Sequence, residues 1–209
     1  MLQNATEPRQ RRRRADGERS RQAILKGATE LATIDGLDGL SIARLAAHIG
    51  MSKSGLFAHF GSKEELQLAT VQEAQEIYDR EVTRPALEQP EGLARVLAMA
   101  DGYLSYLDRG VFPGGCFFAA AAAEVDSRDG PVKDKVRDFL GAWRNDVIKQ
   151  LRRAQEQDEL SADRDPEQLA FEIDAFLAAA NEGMQLFGDR TAVDRARTGI
   201  RERLGQPSY

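Results

Sequence analysis

The sequence predicts an all-α protein of about nine helices, and three observations predict it. Apolar residues recur at helical spacing along the chain. No alternating strand segment of useful length and no internal repeat occurs. The breaks between periodic stretches fall on Gly and Pro, with Ser or Asp placed to cap the next helix. The predicted organisation is a basic arm without regular structure at 1–15, a three-helix unit at 16–61 and a larger helical body at 62–209.

Residues 1–15 are polar, with Arg9 and Arg11–Arg14 close together, a composition that does not order by itself. A first helix runs from about Gly17 to Asp35, with Ile24, Leu25, Ala28, Leu31 and Ala32 in one apolar stripe, and Gly36 and Gly39 end it. Ser41 caps a second helix whose buried face is Ile42, Leu45, Ala46 and Ile49. Gly50 suits the left-handed position after it. Ser52 caps a short third helix, Lys53 to about Phe60, with Leu56 and Phe60 inward at i, i+4. Gly61 breaks it, and Ser62 with Glu65 forms a capping box for a fourth helix reaching about Val82 before Pro85.

Beyond Pro90 the rhythm stays helical. Leu93, Val96, Leu97, Ala100, Leu104 and Leu107 mark a fifth helix, ended by Gly110. Pro113-Gly114-Gly115 turns the chain into an alanine-rich sixth helix. Pro131 opens a seventh that reaches Glu159, Asp165 and Pro166 open an eighth, and a last helix covers roughly Thr191 to Leu204.

Composition bounds the function. Of 209 residues, 42% are hydrophobic and 30% charged, an ordinary globular balance. No apolar run approaches the roughly 20 residues needed to span a bilayer. The N-terminal arginines have no apolar stretch behind them, so they are not a secretory signal. Cys116 is the one cysteine, which fits a reducing cytoplasm. Net charge is −5, yet residues 1–60 hold ten Lys and Arg against six Asp and Glu. A basic quarter on an acidic body points to a local polyanion contact, with a solubilising tail as the plain alternative.

The third helix carries the sharper signal. With Leu56 and Phe60 inward, Lys53, Ser54, Gly55, Phe57 and His59 are left outside, although Phe57 also suits a core position. Small and polar groups on a short helix can enter the DNA major groove, about 12 Å wide. Gly55 permits close backbone approach. Lys63 stands in the first turn of the fourth helix, where a cation needs another partner, and a phosphate supplies one.

At these residues the chain resembles the TetR family of transcriptional regulators. The signature covers Ser20 to about Leu68, and "GMSKSGLFAHFGSKEEL" is its most telling part. The resemblance implies a helix-turn-helix DNA-binding domain and a C-terminal ligand-binding and dimerisation domain. It implies base-facing roles for Lys53, Ser54 and Gly55, phosphate contacts from His59 and Lys63, and backbone or adjacent-base contacts from Ser41 and Arg44. Phe57 stands where the family usually has tyrosine; it can pack on a sugar or a thymine methyl but has no hydroxyl for a phosphate.

In the helix opened by Pro166, one apolar stripe is joined by Phe171, Ala175, Ala178 and Ala179 on another side. A helix apolar nearly all round is buried twice, in a monomer's centre or against a second subunit. The resemblance favours a homodimer through this helix and the last, where Val193, Ala196 and Ile200 form a narrow seam. Tyr103, Tyr106, Phe112, Cys116, Phe117, Phe139 and Trp143 suit an apolar effector pocket or an ordinary core equally. Cys116 at a helix start allows a sensing thiol or plain packing. His48 and His59 lack a third ligand, so no metal is expected, and no cofactor.

The expected function is a cytoplasmic, ligand-responsive repressor, released from a near-palindromic operator on double-stranded DNA by a small apolar effector. The rivals are an interaction adaptor and an enzyme of small-molecule metabolism. The sequence lacks a nucleophile elbow, a phosphate-binding Gly loop and an HExxH motif.

Overall fold

The computed structural model describes residues 6–207, with side chains from residue 17 onward. Among the described residues every regular element is helical: α1 (Thr6–Asp35), α2 (Ile42–Ile49), α3 (Lys53–Phe57), α4 (Lys63–Tyr78), a π-helical turn (Asp79–Thr83), α5 (Arg84–Leu87), α6 (Leu93–Asp108), α7 (Phe117–Val125), α8 (Pro131–Glu156), α9 (Pro166–Phe187) and α10 (Thr191–Arg203).

The expected caps are present. The hydroxyls of Ser41, Ser52 and Ser62 accept from the backbone N–H of Arg44, Gly55 and Glu65, and the Asp165 carboxylate accepts from Glu167. The capping box is shifted by one residue, because the Glu65 carboxylate takes the N–H of Gly61 (2.8 Å). Gly50 closes α2 in the left-handed conformation, φ 68°.

Three boundaries differ from expectation. The arm predicted to lack structure is helical from Thr6, while residues 1–5 and the side chains of Arg9 and Arg11–Arg14 lie outside the described residues. Pro8 falls in the first turn, where its missing N–H costs nothing, and the Arg, Gln and Ala after it are good helix formers. α3 stops at Phe57; the chain tightens through His59 N–H to Leu56 carbonyl (3.0 Å), leaving Phe60 buried in a turn. The fourth helix does not stop before Pro85. A π turn, closed by the Arg84 N–H on the Asp79 carbonyl, carries it into α5. Widening the turn accommodates a residue that cannot donate to the ladder.

α1, α2 and α3 share a core of Ile24, Leu25, Ala28, Leu45, Leu56 and Phe60. α4 packs on both α1 and α8, so one apolar core runs from the first three helices into the body. α10 lies along α9 and α6. Val193, Ala196 and Ile200, expected at a subunit interface, are at most 4% exposed in the single chain. The narrow seam of α10 is used up inside the protomer, which corrects that expectation.

The α1–α2 turn is a joint between the two parts. The Glu124 carboxylate, on α7, accepts from the N–H groups of Leu37 (2.6 Å) and Asp38 (2.7 Å). Gln67 on α4 donates to the Leu37 carbonyl (2.9 Å), Lys63 to the Asp38 carbonyl (2.8 Å), and Arg128 to the Asp38 carboxylate. The Arg128 guanidinium holds the Asp38 carboxyl below its ordinary value. Stability from a depressed carboxylate is present above the unfolded value, about 3.9, and is lost as pH falls through the lowered folded value. Asp38→Asn is therefore expected to lower stability in the neutral region, leave it nearly unchanged in strong acid, and so flatten the acid limb of a stability–pH profile. An acid limb identical to that of the parent would refute the assignment.

Candidate nucleic-acid interface and cavity

The outer side of α3 is not used by the protomer. Lys53 and Ser54 are exposed, and Phe57 is 57% exposed, which settles it as a surface ring rather than core. A Cβ on Gly55 would meet only the Ser52 hydroxyl (3.0 Å) and the Met51 methyl (3.7 Å), so its outward side is open. His59 is half-buried, its ring 6.4 Å from that of Phe60. Arg21 of α1 braces this turn, with its guanidinium 4.8 Å above the Phe60 ring and a bond to the His59 carbonyl (3.5 Å). Sequence reasoning missed Arg21, because an arginine on a helix exterior carries no local mark of its partner.

The remaining candidates line up beside α3 but have partners within the chain. The Ser41 hydroxyl is spent on capping α2. Arg44, on the exposed side of α2, reaches back to Asp35 (2.6 Å). Lys63 already holds the Asp38 carbonyl and lies 3.6 Å from its carboxylate. The cation at the start of α4 thus has an internal partner, where the sequence pointed to an external one. Among the described residues no group of His, Cys, Asp and Glu could hold a metal; His48 faces Glu30 (3.7 Å).

The aromatic residues of the body line a cavity of about 200 Å³ that opens to solvent beside Arg144 and Asp174. Tyr103, Cys116, Phe139 and Trp143 line it. Tyr106, Phe112 and Phe117 do not; they are at most 4% exposed and form the packing behind it. Tyr106 stacks edge-on to Phe112 (5.9 Å), and its hydroxyl accepts from the Phe117 N–H (3.5 Å). Phe118 replaces Phe117 in the wall because one residue turns a helical side chain by about 100°. The Cys116 thiol is buried, and burial pushes its pKa up, the opposite of a sensing thiolate.

Tyr78 is the central residue that sequence reasoning missed. It ends α4 with its ring edge-on to Phe139 (5.2 Å), Trp143 (5.6 Å), Tyr106 (5.8 Å) and Phe118 (6.1 Å). At the mouth, the Asp174 carboxylate accepts from Arg144 (2.9 Å) and from the Trp143 indole N–H (3.3 Å). On α9 the mouth adjoins an exposed stripe of Phe171, Ala175, Ala178 and Ala179 that continues to Leu186. Among the described residues no helix is long and apolar enough to cross a membrane.

The chain is similar to known proteins. Residues 24–70 match the family described as bacterial regulatory proteins, tetR family, and residues 92–200 match the tetracyclin repressor-like C-terminal domain. The HTH-type transcriptional repressor AcnR of Corynebacterium efficiens is 39% identical over 80 residues, covering 34% of this chain and 43% of that protein. The chain thus matches less than half the length of this relative. A TetR transcriptional regulator from Chloroflexus aurantiacus superposes with a TM-score of 0.84 at 24% identity, covering 92% of this chain and 97% of the other. AibR, solved with isovaleryl coenzyme A and operator DNA, superposes at 0.66 with 20% identity over 78% of this chain and 85% of its own. Since the C-terminal match alone spans 109 of 209 residues and the N-terminal match covers the helix-turn-helix, the chain belongs to the TetR family of bacterial regulatory proteins.

Proposed function

We propose that the protein is a cytoplasmic homodimeric transcriptional regulator without enzymatic activity, most simply a repressor that a small effector releases from a near-palindromic operator. The observation that carries this reading is the outer face of α3. Lys53, Ser54 and the 57% exposed Phe57 are exposed on it, Ser54 with a hydroxyl contact to Ser52 alone (3.4 Å), on a unit tied through the α1–α2 turn to a body with a cavity. Residues 16–61 act as the DNA-binding domain and 62–209 as the effector-binding and dimerisation domain. AibR, captured with both an acyl-coenzyme A and operator DNA, supports a two-ligand role for this architecture.

Lys53, Ser54 and Gly55 meet base edges, and Phe57 packs on a sugar or thymine methyl. His59 and Lys63 meet phosphates, with Lys63 exchanging Asp38 for one, and Ser41 and Arg44 meet the backbone or an adjacent base. The second subunit covers Phe171, Ala175, Ala178 and Ala179 of α9, a helix whose inner side is already buried. A twofold pair of α3 helices then reads half-sites about one DNA turn apart, roughly 34 Å.

Gel shifts on the DNA upstream of its own gene test the reading, which a complete absence of a salt-sensitive shift would overturn. Lys63→Ala is expected to weaken binding to every duplex alike and to lower the salt slope by about one. Lys53→Ala should instead relax the preference at one position of each half-site. Identical behaviour of the two variants would show that base-facing and phosphate-facing roles are misassigned.

A further inference from the structure

The cavity in the body constrains the chemistry of what it holds, and this inference rests on the effector-binding reading above. Its volume, about 200 Å³, is modest. An engineered apolar cavity of about 150 Å³ takes one benzene, so the space between these walls suits a single ring with one or two small substituents. Its walls are ring faces and edges from Tyr78, Tyr103, Phe118, Phe139 and Trp143, with Phe118 and Phe139 stacked at 3.7 Å. Aromatic walls favour an aromatic guest through edge-to-face contacts that an aliphatic one lacks.

Charge is settled by the same residues. The charged groups of the cavity, Arg144 and Asp174, sit at its mouth and already neutralise each other at 2.9 Å. An ionised ligand would be desolvated with no free counter-charge. The polar groups deeper in are neutral at physiological pH, because burial pushes the phenols of Tyr78 and Tyr103 and the Cys116 thiol up. Among the described residues the Tyr78 hydroxyl makes no hydrogen bond, although Tyr78 is only 4% exposed. Tyr78 lines the open cavity, so its hydroxyl is free to bond a ligand's polar group in place of water.

We propose that the effector is a neutral compound built on one aromatic ring, phenol-like in size, whose single polar group hydrogen-bonds the Tyr78 hydroxyl. Tyr78 is the last residue of α4 and stands directly before the π-helical turn, an irregularity that recurs at functional sites. The first residue of the same helix is Lys63, bonded to the Asp38 carbonyl of the α1–α2 turn. One rigid helix thus joins the ligand's hydrogen bond to the DNA-reading unit.

Trp143 is the chain's one tryptophan and lies in the cavity wall, so its emission reports occupancy in the full-length protein without DNA. The probes are p-cresol, benzoate, phenyltrimethylammonium, cyclohexanol, toluene and isovaleryl coenzyme A, with calorimetry as a second measurement. We expect p-cresol to saturate the Trp143 signal and to bind at least about tenfold more tightly than either charged ring compound. Tyr78→Phe should weaken p-cresol about tenfold and leave toluene unchanged, which also shows that the variant keeps its fold. Benzoate, the ammonium, cyclohexanol or the coenzyme A ester binding as tightly as p-cresol would overturn the proposal. So would an equal loss of toluene in Tyr78→Phe, or no p-cresol binding at all. If p-cresol occupies the cavity yet the protein shifts no operator DNA, the ligand class stands and the regulatory reading fails.

Discussion

Phe171→Asp combined with Ala175→Asp is expected to give a folded monomer that holds operator DNA about 10²–10⁴-fold more weakly. Both side chains stand on the outer stripe of α9, Phe171 with 62% of its surface exposed. The inner side of the helix keeps the fold, with Leu169, Ile173, Leu177 and Ala180 at most 4% exposed. Two carboxylates facing two others across a twofold axis would be desolvated and would repel, so association fails while the protomer does not. Without a partner, each α3 binds its half-site alone and loses the effective concentration that a tethered second site provides. Sedimentation for mass, circular dichroism for helix content and gel shifts for affinity check the three parts. A double variant that stays dimeric would remove α9 from the interface.

Gly114→Val should lower stability by about 3 kcal/mol, equivalent to roughly 6–12 °C in Tm for a chain of this length. A Cβ at Gly114 would lie 2.0 Å from the Thr33 carbonyl oxygen and 2.4 Å from its carbon, and neither backbone atom can move aside. The Gly114 N–H also donates to the Thr33 hydroxyl (3.1 Å), so the turn sits directly on α1. Two residues on, the Cys116 N–H donates to Asn181 of α9 (2.8 Å). Any side chain at 114 therefore pries the turn before α7 away from the DNA-reading unit. We expect the variant to keep some operator affinity but to lose its response to effector, since one of the contacts that couples the parts is gone. Differential scanning calorimetry reads the first effect and gel shifts with and without effector read the second. A Tm within a degree of the parent would show that the turn is not seated on α1 in solution.

The reading unit was legible because its signals are local. Ser41, Ser52 and Ser62 each cap the next helix within three residues, and Gly50 meets a conformational demand of its own backbone. Leu56 and Phe60 are one helical turn apart. Such features depend on short-range sterics and hydrogen bonds that any fold must respect. The α4 boundary failed for a related reason. Pro85 is a strong stop signal by itself, but packing on α6 lets the helix continue through a widened turn.

The body was only partly legible, because burial does not say against what. The apolar seam of α10 and the apolar outer face of α9 look alike as sequence. Packing puts Val193, Ala196 and Ile200 inside the protomer and leaves Phe171 and Ala175 outside. The aromatic cluster divided in the same way, with Phe117 behind the cavity and Phe118 in its wall. By itself the sequence determined the helical class, the caps, the exposed face of α3 and the family, all of which rest on patterns a few residues long. Only the tertiary structure decided that Tyr78 centres the cavity, that Glu124 grips the turn at Leu37 and Asp38, and that Lys63 is held from within. Each of those joins residues from about 25 to nearly 90 positions apart, and contacts at that range follow from packing rather than from spacing.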